Sequence, residues 1–226
     1  RSSWECRVVG GWGRDKLLGV ATHDIDLLVS SADGADGNSS PPSIEAVVEL
    51  LDSADASAHG LACRSRGVIT PKNDFKWVTV VPLQLVLLPP TSAVAAAEPA
   101  SSPAEQYPSK EVEISVLAAG DTLTQNACAR DFTVNSMAFC ITDAVRSGLL
   151  RDCTAADAVS IPRTHTSLED RCGRGQADLC ARLIACPHAP RETLGADPVR
   201  CLRAIRFAAR LGFVLDSTLA DTLSPG

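Results

Sequence analysis

At 226 residues the chain is long enough for one substantial core, or for one domain and part of a second. A hydrophobic share of 45% excludes a disordered polar chain, and no run approaches 18 apolar residues, which excludes a transmembrane helix. The net charge of −6 argues against a uniformly basic surface for nucleic acid, so such a partner would have to be met by a local cluster of cations.

In chain order, Val8 and Val9 end a short apolar run, as the close of a buried strand does. Gly10 and Gly11 follow, suited to positive φ and to close approach of the backbone to a bulky ligand. Arg14 to Leu18 has helical composition, so the peptide N–H groups near Gly11 are expected at a helix start, where anions and phosphate bind. Asp24 to Val29 alternates strictly: Ile25, Leu27 and Val29 on one face, Asp24 and Asp26 on the other. Two carboxylates at i and i+2 on a strand are roughly 6–7 Å apart at the backbone, close enough to converge on one cation or on a pair. A site made only of oxygen donors suits Mg²⁺.

Residues 30–42 have the composition of a flexible loop, and Ser43 reads as a helix N-cap with Glu45 in the first turn. Ile44, Val47, Val48 and Leu51 form an apolar stripe for packing that helix on a sheet. Strands are expected at 66–70 and 76–88, most clearly over Trp77–Val81, and a disordered insertion over 89–109. Glu111 to Leu117 alternates again, with Val112, Ile114 and Val116 inward and Glu111, Glu113 and Ser115 outward. Such a strand beside the first could add a third acid to Asp24 and Asp26. Asp131 and Asn135, at i and i+4, share one face if their segment is helical. Asp197 is a candidate N-cap, Pro198 suits the first helical position and Gly212 suits the stop. Between them Val199, Leu202, Ile205 and Ala209 are expected to be buried, while Arg200, Arg203, Arg206 and Arg210 form a cationic stripe.

Nine scattered cysteines, an odd number with no Cys-x-x-Cys, fit free thiols in a reducing compartment. The spacing of Cys172, Cys180, Cys186 and His188 matches no common zinc site. The first motif lies so near the N-terminus that no signal or transit peptide is visible. An intracellular, non-secreted protein without membrane association is expected, its compartment among cytoplasm, nucleus and mitochondrion left open, as is its oligomeric state.

Three of these stretches resemble the motifs of the class II tRNA nucleotidyltransferases, the CCA-adding enzymes and their bacterial poly(A) polymerase relatives. Gly10-Gly11-Trp12-Gly13-Arg14-Asp15-Lys16-Leu17-Leu18-Gly19 with Asp24-Ile25-Asp26 resembles motif A, with Gly13 where the family has Val. Arg130-Asp131-Phe132-Thr133-Val134-Asn135 resembles motif B, with Ala129 in place of its first arginine. Asp197 to Phe213 resembles motif D, with Ala196 replacing its first acid. Arg151–Asp157 and Ile161–Thr164 resemble an eroded motif C, and residues 165–190 match no motif.

The resemblance implies an α+β fold: a polymerase-β-like head of mixed sheet and helices over residues 1–165, then the start of an all-helical neck at 190–226. It implies CCA addition, a template-independent transfer from CTP and ATP to the 3′ end of tRNA. Asp24 and Asp26 would be catalytic and hold Mg²⁺. Glu111 matches the family's third acid, with Glu113 as the alternative. Nucleotide binding would fall to Gly10, Gly11, Arg14, Asp15, Arg130, Asp131, Asn135, Asp197, Arg200, Arg203 and Arg206. Within that set Asp131 and Asn135 would meet the ribose, and Asp197 and Arg200 would read the base. The short span from Leu117 to Arg130 points to CC-only addition as an alternative. A poly(A)-adding variant, or a weakened nucleotide- or RNA-binding fragment, is the other.

Overall fold

A computed structural model describes residues 4–22, 24–32, 42–51, 61–65, 80–87, 109–146 and 167–224. Its frame is a mixed sheet. β1 (Trp4–Val9) runs antiparallel to β2 (Ile25–Ser31), and β2 runs parallel to β5 (Ser109–Val116). β3 (Leu61–Ser65) and β4 (Val80–Leu87) extend the sheet beyond β5, while β6 (Ala138–Cys140) and β7 (Leu168–Glu169) extend it beyond β1. Among the described residues the order is β3-β4-β5-β2-β1-β6-β7. The expected α+β head is therefore present. β2 reaches two residues, Ser30 and Ser31, into the stretch read as loop. The expected strand at 66–70, Trp77–Thr79, the insertion from 89 to 108 and the motif C stretch all lie outside the described residues.

The alternation read along 24–29 is a true division between faces. Ile25, Leu27 and Val29 join Val112 and Ile114 under α2 (Ile44–Leu51), which buries Ile44 and Val47 against them. Ser43 starts that helix, its Oγ accepting from Ala46 N at 3.1 Å. On the opposite face Leu28 packs with Val9, Leu117, Ala138 and Leu123, the last from α3 (Leu123–Cys128). Thr122 and Gln125 close a reciprocal capping box at the start of α3.

The C-terminal part is mainly helical: α5 (Gly175–Ala181), α6 (Pro190–Ala196), α7 (Val199–Leu211) and α8 (Ser217–Leu223), with α4 (Ile141–Arg146) earlier in the chain. A small parallel pair, β8 (Leu183–Ile184) and β9 (Val214–Leu215), ties α5 to the end of α7. The largest apolar cluster joins Phe132, Val134 and Met137 to Phe207, Phe213 and Leu219, so this part is packed on the motif B segment. Residues 167–185, silent in sequence, supply β7, α5 and β8. Among the described residues no helix is long and apolar enough to cross a membrane.

α7 corrects one expectation. Val199, Leu202 and Ile205 are 58%, 71% and 56% exposed, and Ala209 is exposed, whereas Ala204 and Phe207 are buried. The helix has two apolar arcs, and the arc carrying the aromatic ring faces the core. Phe207 meets Phe132 edge-on, 5.9 Å between centroids at 79°. Gly212 stops α7 as expected, at φ 65°, whereas the helix starts one residue later than expected, with Pro198 at the N-cap and Asp197 Oδ1 accepting from Val199 N at 3.0 Å.

A buried ion pair pins the strands together. Arg7 on β1 donates from Nε to both Glu169 oxygens at 3.1 Å, and its Nη atoms reach Ser30 Oγ at 2.9 Å and Glu5 Oε2 at 2.7 Å. Burial works against the Arg7 charge, but Glu169 and Glu5 outweigh it and hold its pKa up. Burial likewise pushes Glu169 up, and Arg7 and Arg171 outweigh it, so its carboxyl lies below its ordinary value.

Two stability effects follow. Glu169→Gln should cost about 2–3 kcal/mol at pH 7, because the Arg7 charge stays buried with a weakened partner set. A carboxyl with a depressed folded pKa stabilises above its unfolded pKa and loses that contribution as pH falls through the folded value. The gap to the parent in urea unfolding should therefore shrink below about pH 4. Gly13 lies inside α1 (Gly11–Leu17), where a Cβ would meet nothing nearer than Met137 O at 4.0 Å. Gly13→Ala should therefore raise stability by about 0.5–1 kcal/mol in the same assay.

Candidate active site

The site forms where the end of β1 and the start of β2 meet the middle of β5. Val9, the last residue of β1, is in register with Asp26 on β2, and Asp26 with Glu113 on β5. Gly10 then turns the chain into α1 at φ 77°. A Cβ at Gly10 would lie 2.8 Å from Asp26 Oδ2 and 3.3 Å from Arg130 Nη1, so the residue lets strand end, carboxylate and guanidinium crowd together. A cavity of about 560 Å³ opens here. Asp24, Asp26 and Glu113 line it from the sheet, and Arg203, Arg206 and Arg210 line it from α7.

Burial pushes the Asp26 carboxyl above its ordinary value, Arg130 pulls it down and Asp24 pushes it further up. Burial lowers the Arg130 guanidinium, and Asp26 and Asp131 oppose that. A desolvated carboxylate beside a second one is a site that a cation would relieve. Oxygen donors alone suit a hard divalent ion. Among the described residues no three His, Cys, Asp or Glu side chains are gathered into a finished cage. Of the two candidate third acids, Glu113 lines the cavity beside Asp26, whereas the side chain of Glu111 lies outside the described residues.

The motif B segment is a single 3₁₀ turn, Thr133–Asn135, and it brings Asp131 and Asn135 together. Asp131 Oδ1 accepts from Asn135 Nδ2 at 2.9 Å and from Phe132 N at 2.9 Å. Its Oδ2 accepts from Arg203 Nε at 2.7 Å. Asn135 Oδ1 in turn accepts from Arg14 Nη1. Arg14 is buried, donates from Nε to Asp15 Oδ1 at 2.7 Å, and lies 5.0 Å over the Phe207 ring. Arg203 and Arg206 reach the same ring at 5.4 and 5.2 Å. Arg14 thus braces Asn135 from below, while the exposed Arg206 and Arg210 have charge to offer an anion.

Gly10, Gly11, Arg14, Asp15, Arg130, Asp131, Asn135, Arg203 and Arg206 all line the one cavity with Asp24 and Asp26. Asp197 and Arg200 are not part of that lining. They pair with each other at 4.0 Å, and Arg200 also donates to Ala129 O at 2.9 Å and to Thr193 O at 3.3 Å. Phe207 and Trp12 belong to the site but carry no charge signal in sequence; Phe207 is marked only by its place in the arginine-rich helix.

The family model of the poly(A) polymerase head domain matches residues 6–185. The chain belongs to that family. Among curated proteins, tRNA nucleotidyltransferase cca2 of Schizosaccharomyces pombe is 30% identical over 98% of this chain and 38% of its own length. Nucleotidyltransferase lcsQ of Purpureocillium lilacinum is 27% identical over 93% of this chain and 30% of its own length. The chain therefore spans well under half of these relatives. Among solved structures, a tRNA-processing enzyme in an apo form superposes with TM-score 0.55 at 25% identity, covering 97% of this chain and 41% of that one. A CCA-adding enzyme of Thermotoga maritima in complex with tRNA gives TM-score 0.53 at 23% identity, over 97% of this chain and 37% of that one, and shows the shared fold.

The raised Asp26 pKa has a measurable sign. A carboxyl whose folded pKa exceeds its unfolded one stabilises while protonated and loses that contribution as pH rises through the folded value. In Mg²⁺-free buffer at pH 7, Asp26→Asn should melt no lower than the parent, and the two should converge below about pH 4. Adding Mg²⁺ should raise the melting temperature of the parent and leave the variant unmoved.

Proposed function

We propose that this chain carries the catalytic head of a tRNA nucleotidyltransferase, adding C and A from CTP and ATP to the tRNA 3′ end without a nucleic-acid template. The observation that carries this reading is one cavity holding Asp24, Asp26 and Glu113 on one wall and Arg203, Arg206 and Arg210 on the other. In-line phosphoryl transfer needs these two charge types side by side. The relatives support it: one solved neighbour is a tRNA-processing enzyme with CTP, and another is a tRNA nucleotidyltransferase with a primer tRNA and an ATP analogue.

Asp24 and Asp26, with Glu113 as the third acid favoured over Glu111, would hold Mg²⁺. Bound there, the ion supplies charge stabilisation of the phosphoryl oxygens and activation of the attacking hydroxyl. Arg206 and Arg210 bind the triphosphate, with Arg203 bridging it to Asp131. Gly10 and Gly11 let the backbone approach it. Asp131 and Asn135 face the ribose, where a 2′-hydroxyl can both donate and accept. Asp197 and Arg200 present a carboxylate beside a guanidinium, the pattern that matches the amine and ring nitrogen of C or A. To read a base in this cavity they must swing toward it. The head is assigned to residues 1–165 and the start of a helical neck to 190–226, in an intracellular setting.

CC-only addition is the second reading. The connection from Leu117 to Arg130 contains α3, held by its capping box, in place of the long flexible loop that supports A addition in the family.

The test supplies tRNA primers lacking CCA, CA or only A, with Mg²⁺ and each nucleotide, and sequences the 3′ ends. C-C-A is the expected product on the first primer. A stop after C-C selects the second reading, and a run of A selects a poly(A)-adding enzyme. No addition by the folded chain overturns catalysis by this chain. Asp24→Asn should lower the rate about a thousand-fold or more while leaving the far-UV spectrum unchanged.

A further inference from the structure

Two cysteines far apart in sequence meet immediately behind the cavity. Cys128 is the last residue of α3, and Cys172 lies in the turn that follows β7. Their sulfurs are 3.1 Å apart, and both residues are partly buried, not sealed in the core. Each sulfur is presented by an ordered segment. α3 is fixed at its start by the Thr122–Gln125 capping box. The turn is closed by Gly173 N donating to Asp170 O at 3.0 Å. The Asp170 carboxylate fastens that turn to the first residues of α5, accepting from Gly175 N at 3.1 Å and Gln176 N at 2.9 Å.

We propose that Cys128 and Cys172 are a modification site, a dithiol that a small-molecule disulfide such as oxidised glutathione converts into a reversible intrachain disulfide. A disulfide brings its sulfurs to about 2.05 Å, so closure asks for about 1 Å of travel from the reduced arrangement. The electron balance is that of exchange. The Cys128 thiolate attacks one sulfur of the oxidant and expels a thiolate, leaving a mixed disulfide on Cys128. Cys172, once deprotonated, attacks the Cys128 sulfur and expels the second thiolate. The protein loses two protons and two electrons, and one oxidant molecule becomes two thiols.

The order of attack has a physical basis. Burial, followed by its interaction with Cys128, pushes the Cys172 thiol up to about 12, so Cys172 is a poor first nucleophile. Once Cys128 is in a mixed disulfide, Cys172, whose sulfur is 3.1 Å away in the reduced arrangement, is the thiol placed to resolve it. The bond ties α3 to the turn beyond β7. It thereby restrains Arg130 and Asp131, two and three residues after Cys128 and both in the cavity wall.

The test uses the full chain in oxidised and reduced glutathione, trapped with N-ethylmaleimide and digested without reductant for mass spectrometry. The expected result is one cross-link, Cys128 to Cys172, with the free-thiol count falling by two from the nine in the sequence. The melting temperature should rise by roughly 5–10 °C, because the bond closes a long loop. Dithiothreitol should restore the thiols and the lower melting point. Cys128→Ser and Cys172→Ser should melt near the parent under reducing conditions and gain nothing from oxidation. Glutathione retained on either cysteine without closure overturns the proposal, as does a cross-link between other cysteines, Cys6 and Cys140 included. The thiol count and cross-link map are read on the unsubstituted chain and do not depend on nucleotidyl transfer, so they stand apart from the outcome of the tRNA assay.

Discussion

The Asp131 carboxylate is the joint on which the site depends. One of its oxygens holds the motif B turn through Phe132 N and Asn135, and the other holds Arg203 of α7. Asn135 then passes the connection to Arg14, and Arg14 passes it to Asp15 on α1. Three segments, 121 and 72 residues apart in sequence at the bonds that join them, are thus aligned by one chain of charge-assisted hydrogen bonds. Such bonds are short and directional, so the chain sets angles as well as distances. Take the joint away and α7 is oriented toward the cavity only by its apolar packing on Phe132.

The charge balance of the molecule makes sense in that light. A chain with a net charge of −6 still builds a cavity wall of arginines, because the cations are concentrated on one helix and gathered around one ring. Phe207 separates and orients the guanidinium groups that surround it. The opposing wall is acidic, and Gly10, having no Cβ, leaves the gap in which Asp26 and Arg130 approach each other. Opposite charges facing each other across a cavity suit a ligand that carries anionic oxygens and a cation together.

Much of this was legible in the residues. The alternation at 24–29, the glycine that needs positive φ, the capped helix at 43–51 and the paired acid and amide at 131 and 135 are local patterns, and local patterns survive into structure. What sequence could not supply were choices made by distant neighbours. α7 has two apolar arcs of similar composition, and only the presence of Phe132 decides which is buried. Arg14 reads as a free phosphate cation until Asn135 and Asp15 are seen to hold it. Arg7 and Glu169, 162 positions apart, and Cys128 and Cys172, 44 apart, meet only because β1, β6 and β7 are neighbours. That Glu113 stands opposite Asp26 is a matter of register, which a single strand cannot reveal.

α7 has a consequence for how the molecule meets its surroundings. Most amphipathic helices turn charge to water and grease to protein, and this one does much of the reverse. Its arginines look inward at the cavity, and Val199, Leu202 and Ile205 form a ridge in solvent. The same rotation of the helix that loads the cavity with cations therefore creates an exposed apolar seam. The two properties are one degree of freedom: turning α7 to hide the seam would withdraw Arg203, Arg206 and Arg210 from the cavity.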